Sequence, residues 1–352
     1  MGGRRLSIAD LAVAPTIGGG ELFGHHAALT DPVVVVDLDA DDRSVTDIAG
    51  AAERAATAES ILVGVSRRTP DDAQRPLLTA LDLTYAPGCD DRAVVAVDDV
   101  DAAIGRFLES VGRTPTAALV AAQVLRAAEP LEPIPAIDVE SFAYSTLQAG
   151  PEFGAWLTAR RAQGRPLPPR TVDPVLLDRV DDTLYITLNR PERRNAYGTA
   201  LRDALVESLR VAVVDGTIRR VVLDGAGSSF CAGGDLDEFG HMPDATTAHL
   251  VRTRGGAGRL MAALADRVEV RLHGHCVGAG IEIPAFARRV VARPDTRLRL
   301  PEVSMGLIPG AGGTVSVPRR IGRWRALHLF VTGETIEASR ALSWGLVDAI
   351  ED

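Results

Sequence analysis

Lysine is absent from all 352 residues, so arginine carries every side-chain charge that is positive at neutral pH, histidine aside. Schiff-base catalysis needs a lysine amine and a P-loop needs a lysine at its phosphates, so both chemistries are excluded. Any phosphate on a ligand must be met by arginine or by backbone amides. Cysteine is also scarce: Cys89, Cys231 and Cys276 lie far apart with no CxxC pair, which argues against a disulfide framework and a zinc site. The seven histidines show no HxxxH or HExxH spacing, and no metal is expected. Aromatics make up only 4%, which leaves the core to Val, Leu, Ile and Ala. No apolar run approaches the roughly 18 residues of a membrane span, so no membrane partner is expected. The first residues, MGGRRLSIADLAVAP, lack the hydrophobic block of a signal peptide, and a cytoplasmic location is the expectation. A formal charge of −9 disfavours nucleic acid, since phosphate binding demands a basic surface.

Two segments differ in character. They meet at AQGRPLPPRTVDP (Ala162–Pro174), whose prolines and arginines read as an extended polar linker. This divides the chain into domains at 1–165 and 171–352. In the second, Val175–Val180 and Leu184–Leu188 read as a hairpin across Asp181 and Asp182. Leu201, Leu205, Leu209 and Val213 recur at four-residue steps, an amphipathic helix over Tyr197–Val214. Arg220–Leu223 and Val268–Leu272 read as strands, and Arg323–Phe330 and Thr335–Trp344 as helices. Short strands alternating with helices indicate an α/β layered domain. In the first segment Val33–Leu38, Ile61–Val65 and Val94–Val97 read as strands. Helical stripes follow from Val100 onward, with Pro151 suited to a helix's first turn.

What the sequence does have, between Ser228 and Thr314, is three glycine-rich segments in order: SSFCAGGDL, GHCVGAGIEIPAFA and LPEVSMGLIPGAGGT. Each is a turn where backbone N–H groups can lie bare. Gly233 and Gly234 allow a sharp turn after a strand, with Asp235 placed to cap a following helix. Glu282 sits among Ile281, Ile283 and Pro284, where partial desolvation should raise its pKa toward working pH. Glu302 follows twenty positions later, after the strand-like RLRLP. The GAGG run is no nucleotide loop, for it lacks both the lysine and the strand–loop–helix context. Bare amides stabilise an oxyanion, and a carboxylate pair moves protons beside it, a combination suited to an acyl thioester.

These motifs, with the preceding NRPERRNAYGTAL, resemble the enoyl-CoA hydratase/isomerase, or crotonase, superfamily over about Val175 to Asp352. The resemblance implies a crotonase-type ββα spiral core and an acyl-CoA thioester substrate. Oxyanion amides then map to Gly234 and Ala279. The hydratases of the family use two glutamates, at the positions of Glu282 and Glu302, whereas many members keep one or neither. Retention of both favours a hydratase that adds water to a 2-enoyl-CoA. Glu282 would activate the water and Glu302 would protonate the α-carbon. By position, Arg194, Ala196 and Ala232 are carried over as contacts to the CoA moiety. Coenzyme A is then part of the substrate, and no separate cofactor is expected. The resemblance also implies a homotrimer or hexamer. Rival readings are another acyl-CoA isomerase, hydrolase or lyase of the superfamily, or a non-catalytic acyl-CoA-binding or assembly subunit.

Three departures stand out, the first being Ala279 in place of the commoner middle glycine, with its amide retained. Ala287-Arg288 occupies the place of a common Cys-Asp pair. The sequence also stops at GLVDAIED, where relatives continue into helices that cover the acyl-CoA site. The segment Val97–Arg161 looks similar to that helical tail, so residues up to about Arg165 read as a degenerate first copy. Its helices, with Phe107, Leu108, Phe142, Phe153 and Trp156, are expected to dock on the second copy's core as a helical module.

Overall fold

The computed structural model describes residues 4–14, 29–40, 44–162 and 173–352. Most of the expected linker, 163–172, lies outside them. The chain divides into two compact units: Met1–Arg126 with Ile321–Thr332, and Ala127–Arg320 with Gly333–Asp352. This differs from the expected division at 1–165 and 171–352, because residues 127–162 pack with the C-terminal core and 321–332 pack with the N-terminal sheet.

The first unit is built on five strands, β1 (Arg4–Ser7), β2 (Val33–Asp37), β3 (Ile61–Val65), β4 (Leu83–Ala86) and β5 (Val94–Ala96). They pair in chain order and all in parallel. Runs such as VVVVD and ILVGV are apolar on both faces, as a parallel sheet covered on both sides requires. Helices α1 (Ile8–Val13), α2 (Val45–Ala56), α3 (Arg75–Ala80), α4 (Val100–Arg113) and α5 (Pro115–Ala128) belong to this part of the chain. Ser44 and Asp99 cap α2 and α4 by accepting from the amides of Asp47 and Ala102.

The second unit opens with α6 (Pro133–Gln148) and α7 (Pro151–Arg161), followed by the hairpin β6 (Val175–Val180) and β7 (Thr183–Leu188). Then come α8 (Thr199–Val214), β8 (Arg220–Gly225), α9 (Ala245–Gly255), α10 (Gly258–Leu264) and β9 (Val268–Leu272). A short β10 (His275–Val277), α11 (Ala279–Glu282), β11 (Arg289–Ala292) and β12 (Arg297–Arg299) follow. The chain ends with α12 (Gly313–Thr332), β13 (Thr335–Glu337), α13 (Ala338–Trp344) and β14 (Ala349–Ile350). The six-stranded sheet runs β6-β7-β8-β9-β11-β14, parallel except for the hairpin. From β9 onward the chain passes back and forth between this sheet and a small one, β10-β12-β13, with β12 and β13 consecutive in the small sheet. The chain thus winds between two layers of strands with helices, the α/β class expected from the resemblance.

Three local expectations are corrected. Thr335–Trp344 is not one helix: Thr335–Glu337 pairs with β12 as a strand, and the helix starts at Ala338. Asp235 caps no helix; it accepts from Arg193 at 2.6 Å, and the next helix, α9, is capped by Asp244. Phe142 is 61% exposed and stacks on His249 at 4.2 Å instead of being buried in the core. α12 is broken at Gly322, whose φ of +82° is non-helical, and the residues beyond join the first unit.

Candidate active site

The segment carrying the first glycine motif is stitched on both sides. Tyr197 N–H donates to Gly233 O at 2.7 Å and Asp235 N–H to Tyr197 O at 3.3 Å. On the other side Val277 N–H donates to Cys231 O at 3.0 Å, joining the first motif to the second. These ties bring Gly234 and Ala279 to one cavity of about 260 Å³. Neither amide is taken by another group among the described residues. The chain passes from β10 into α11 through Gly278, at φ +49° and ψ −118°. Such a turn favours glycine on conformation alone. A Cβ there would also lie 2.4 Å from Glu302 Oε1 and 3.7 Å from Glu282 Oε1. The same two distances bound the separation of those oxygens at about 6 Å.

Glu282 and Glu302 are 3% and 8% exposed. Glu282 Oε2 accepts from the amides of Ala311 at 2.6 Å and Gly313 at 3.0 Å. Glu302 begins a single turn, Glu302–Met305, that closes on Gly306 at φ +74°. A Cβ at Gly306 would lie 2.5 Å from the backbone nitrogen of Phe153, so glycine lets α7 approach that turn. Glu302 Oε2 is buried and has no hydrogen-bond partner among the described residues. Burial raises the Glu302 carboxyl to about 8, against the weaker opposing pull of its backbone bond and of Arg299. Burial, then the neighbouring Glu302 and Glu140, push Glu282 well above the ordinary carboxylate range. A pair held this way stores a proton near neutral pH.

Glu140 is a third carboxyl in the cavity, and sequence reasoning missed it. It is 1% exposed and comes from α6, far upstream of the glycine motifs. Its Oε1 accepts from Gly312 N–H at 2.8 Å, and its Oε2 from Thr314 N–H at 2.8 Å and Thr314 Oγ1 at 2.7 Å. Burial raises Glu140 to about 7 even against those bonds. Ile137, Glu140, Ser141, Tyr144 and Gln148 all line the cavity. Their spacing is one helix face, but Ser141 and Gln148 make that face mixed, so Glu140 carried no distinct signal in the sequence. Arg252 from α9 lies 4.3 Å over the Tyr144 ring and donates to Ser141 Oγ at 3.2 Å and Gln148 Oε1 at 3.2 Å.

α7 braces the segment after Gly234. Arg160 donates to Leu236 O at 3.0 Å and pairs with Asp237 at 2.6 Å. Phe239, beside Gly234, lies against Trp156 and Phe153. Of the three residues carried over for CoA, Ala232 lines the cavity. Arg194 and Ala196 do not: Arg194 is exposed, and Ala196 is 8% exposed. Arg194 O does accept from Ala232 N–H at 2.9 Å. Arg288, in the second motif, is exposed. No grouping of His, Cys, Asp and Glu suited to a metal ion occurs among the described residues. No helix among them is long and apolar enough to cross a membrane.

The family described as enoyl-CoA hydratase/isomerase matches residues 180–351. A 2,3-dehydroadipyl-CoA hydratase of Escherichia coli K12 is 35% identical over 176 residues, 50% of this chain and 68% of that protein. A 1,2-epoxyphenylacetyl-CoA isomerase of the same strain is 35% identical over 174 residues, 48% of this chain and 66% of that protein. The chain thus spans about two thirds of the length of these relatives. A crystal structure of an enoyl-CoA hydratase from Mycobacterium smegmatis is 32% identical, with a TM-score of 0.47, covering 50% of this chain and 69% of that one. Equal identity to a hydratase and an isomerase leaves the reaction to the site's own geometry. At the level these matches do reach, and with bare amides and paired carboxyls in the matched segment, this chain belongs to the enoyl-CoA hydratase/isomerase family.

Proposed function

We propose that this cavity adds water across the double bond of a 2-enoyl-CoA thioester. The observation that carries the reading is the convergence of Glu282 and Glu302 on a cavity that also holds the bare amides of Gly234 and Ala279. The thioester oxygen accepts from those two N–H groups. Removing one such donor typically costs about 2.7–4 kcal/mol of transition-state stabilisation. Water held between the carboxyls loses a proton to Glu282 as its oxygen bonds to the β-carbon. The π electrons move onto the thioester oxygen as an enolate, and Glu302 delivers its proton to the α-carbon. One turnover moves one proton from Glu302 to Glu282, which solvent exchange resets. Glu302, with an unpartnered oxygen, suits the acid; Glu282, oriented by two amides, suits the base. Addition of water is redox-neutral, so the reaction as written calls for no redox cofactor.

The test is loss of the conjugated thioester absorbance with a panel of short, long and aromatic enoyl-CoA esters. Glu282→Gln and Glu302→Gln should each lower the rate on the order of 10²–10⁴-fold, the worth of a positioned acid or base. Wild-type rates in both variants would end the reading. An isomerase, which moves a proton without taking up water, would instead yield a product with no added oxygen from labelled water.

A further inference from the structure

The amides of the GAGG segment alternate between two carboxylates. Ala311 and Gly313 donate to Glu282, while Gly312 and Thr314 donate to Glu140. Four successive N–H groups thus hold two side chains that sit far apart in sequence and belong to different helices, α11 and α6. Neither Glu282 nor Glu140 has an ion-pair partner within 4.0 Å among the described residues. We propose that Glu140 is a positioning residue for Glu282: it pins the loop whose remaining amides orient the Glu282 carboxylate, and its own charge governs when Glu282 ionises. The proposal rests on the hydratase reading only for Glu282's part in the chemistry.

The charge balance around Glu282 supports this. Glu302 faces it across Gly278, Glu140 and Tyr144 face it from α6, and Tyr197 and Cys231 act on it from the first-motif side. Of the cations around the cavity, Arg252 acts on Glu140 and Tyr144, Arg299 on Glu302, and Arg202 on Tyr197. A like charge at short range in a poorly solvated cavity disfavours ionisation of its neighbour. Glu140 accepts from three donors, so among the three carboxyls it is the one best stabilised as an anion. It therefore takes up negative charge most readily of the three, and Glu282 and Glu302 hold their protons more tightly.

The decisive variant is Glu140→Gln in the full chain, which keeps the side-chain length and one acceptor oxygen but removes the charge. Two readouts are taken. The first follows the Glu282 carboxyl by carbon-13 NMR of glutamate-labelled protein, assigned by its loss in Glu282→Gln, across a pH titration. The second is kcat and KM for the enoyl-CoA ester turned over fastest. The expected result is a Glu282 titration displaced to lower pH, with kcat lowered about 10- to 100-fold, the scale of a misplaced catalytic group, and KM little changed. A Glu282 titration that stays in place or moves up overturns the proposal, and a fall in kcat accompanying it would mean that Glu140 only holds the fold. If wild-type protein hydrates no ester, the hydratase reading fails, while the titration still decides the proposal by itself. Circular dichroism checks folding, and if the Gln variant does not fold, Thr314→Val serves in its place. That variant removes only the Oγ1 donor to Glu140 and is expected to move the Glu282 titration in the same direction as Glu140→Gln where both fold; no movement in it overturns the proposal.

Discussion

Each unit buries carboxylates, and Asp82 in the first and the cavity glutamates in the second are treated in opposite ways. In the first unit Asp82 is 2% exposed and fully engaged. It accepts from Leu62 N–H at 2.8 Å and from Arg126 Nε at 2.7 Å, and Arg323 lies at 3.5 Å. In the second unit Glu140, Glu282 and Glu302 share a cavity, Glu140 disfavouring charge on both others and Glu302 disfavouring it on Glu282, and one oxygen of Glu302 has no partner among the described residues. A carboxylate neutralised by two arginines has nothing left to offer a ligand. Carboxyls crowded together with unused valences are costly to fold and available for proton transfer. Both units also run their main sheets in chain order. A strand-ordered α/β layer therefore does not by itself imply chemistry; the difference lies in which buried polar groups are left unsatisfied.

The sharpest break of this comparison is predicted at Asp82. Asp82→Asn leaves Arg126 and Arg323 with a neutral partner, and removing one member of a buried ion pair costs about 3–5 kcal/mol. Urea unfolding of the full chain should show a clearly lower midpoint for this variant. Unchanged stability would mean that the Asp82 cluster does not hold the first unit together.

Gly234 is the next test, because it carries function with no side chain. Gly234→Pro removes the amide donor and should lower turnover about 10²–10³-fold, the cost of one oxyanion donor. Gly234→Ala keeps the donor. Its Cβ would meet only the ring edge of Phe239, at 2.9 and 3.0 Å, so a small ring shift and a mild effect are expected. Equal activity of the proline variant, with folding confirmed by circular dichroism, would remove Gly234 from the site.

Much of this site was legible because its signals are local. Gly278, Glu282 and Glu302 sit in short motifs whose residue types and order are dictated by backbone conformation and desolvation. The buried β-branched runs Val33–Asp37 and Ile61–Val65 announced strands for the same reason. Glu140 did not announce itself, since its role depends on where α6 packs, and α6 lies against α9 and α10, more than a hundred residues downstream. β1 was missed because RRLS is a polar, partly exposed edge strand. The unit boundary was missed because Gly322 breaks α12 and passes its second half to the first unit, a tertiary event that follows no composition change.

A pH-dependent change in stability separates the two kinds of buried carboxyl most directly. The Glu302 carboxyl is raised by burial to about 8 in the folded protein, from an ordinary value of 4.5. The folded state therefore holds a proton that the unfolded chain releases across that window. Stability from this group is complete below about 4.5 and is lost as pH rises through about 8. Glu302→Gln keeps the shape and cannot ionise, so it removes this slope, at most about 1.4 kcal/mol per pH unit for one proton. Near pH 4.5 the melting temperatures of wild type and variant should coincide, and at pH 9 the variant should melt higher. The gain should come with the loss of hydration expected of the same substitution, because the group that destabilises the folded cavity is the group proposed to donate the proton. A variant that melts lower than wild type at pH 9 would place Glu302 with Asp82, among the carboxylates that hold the fold together.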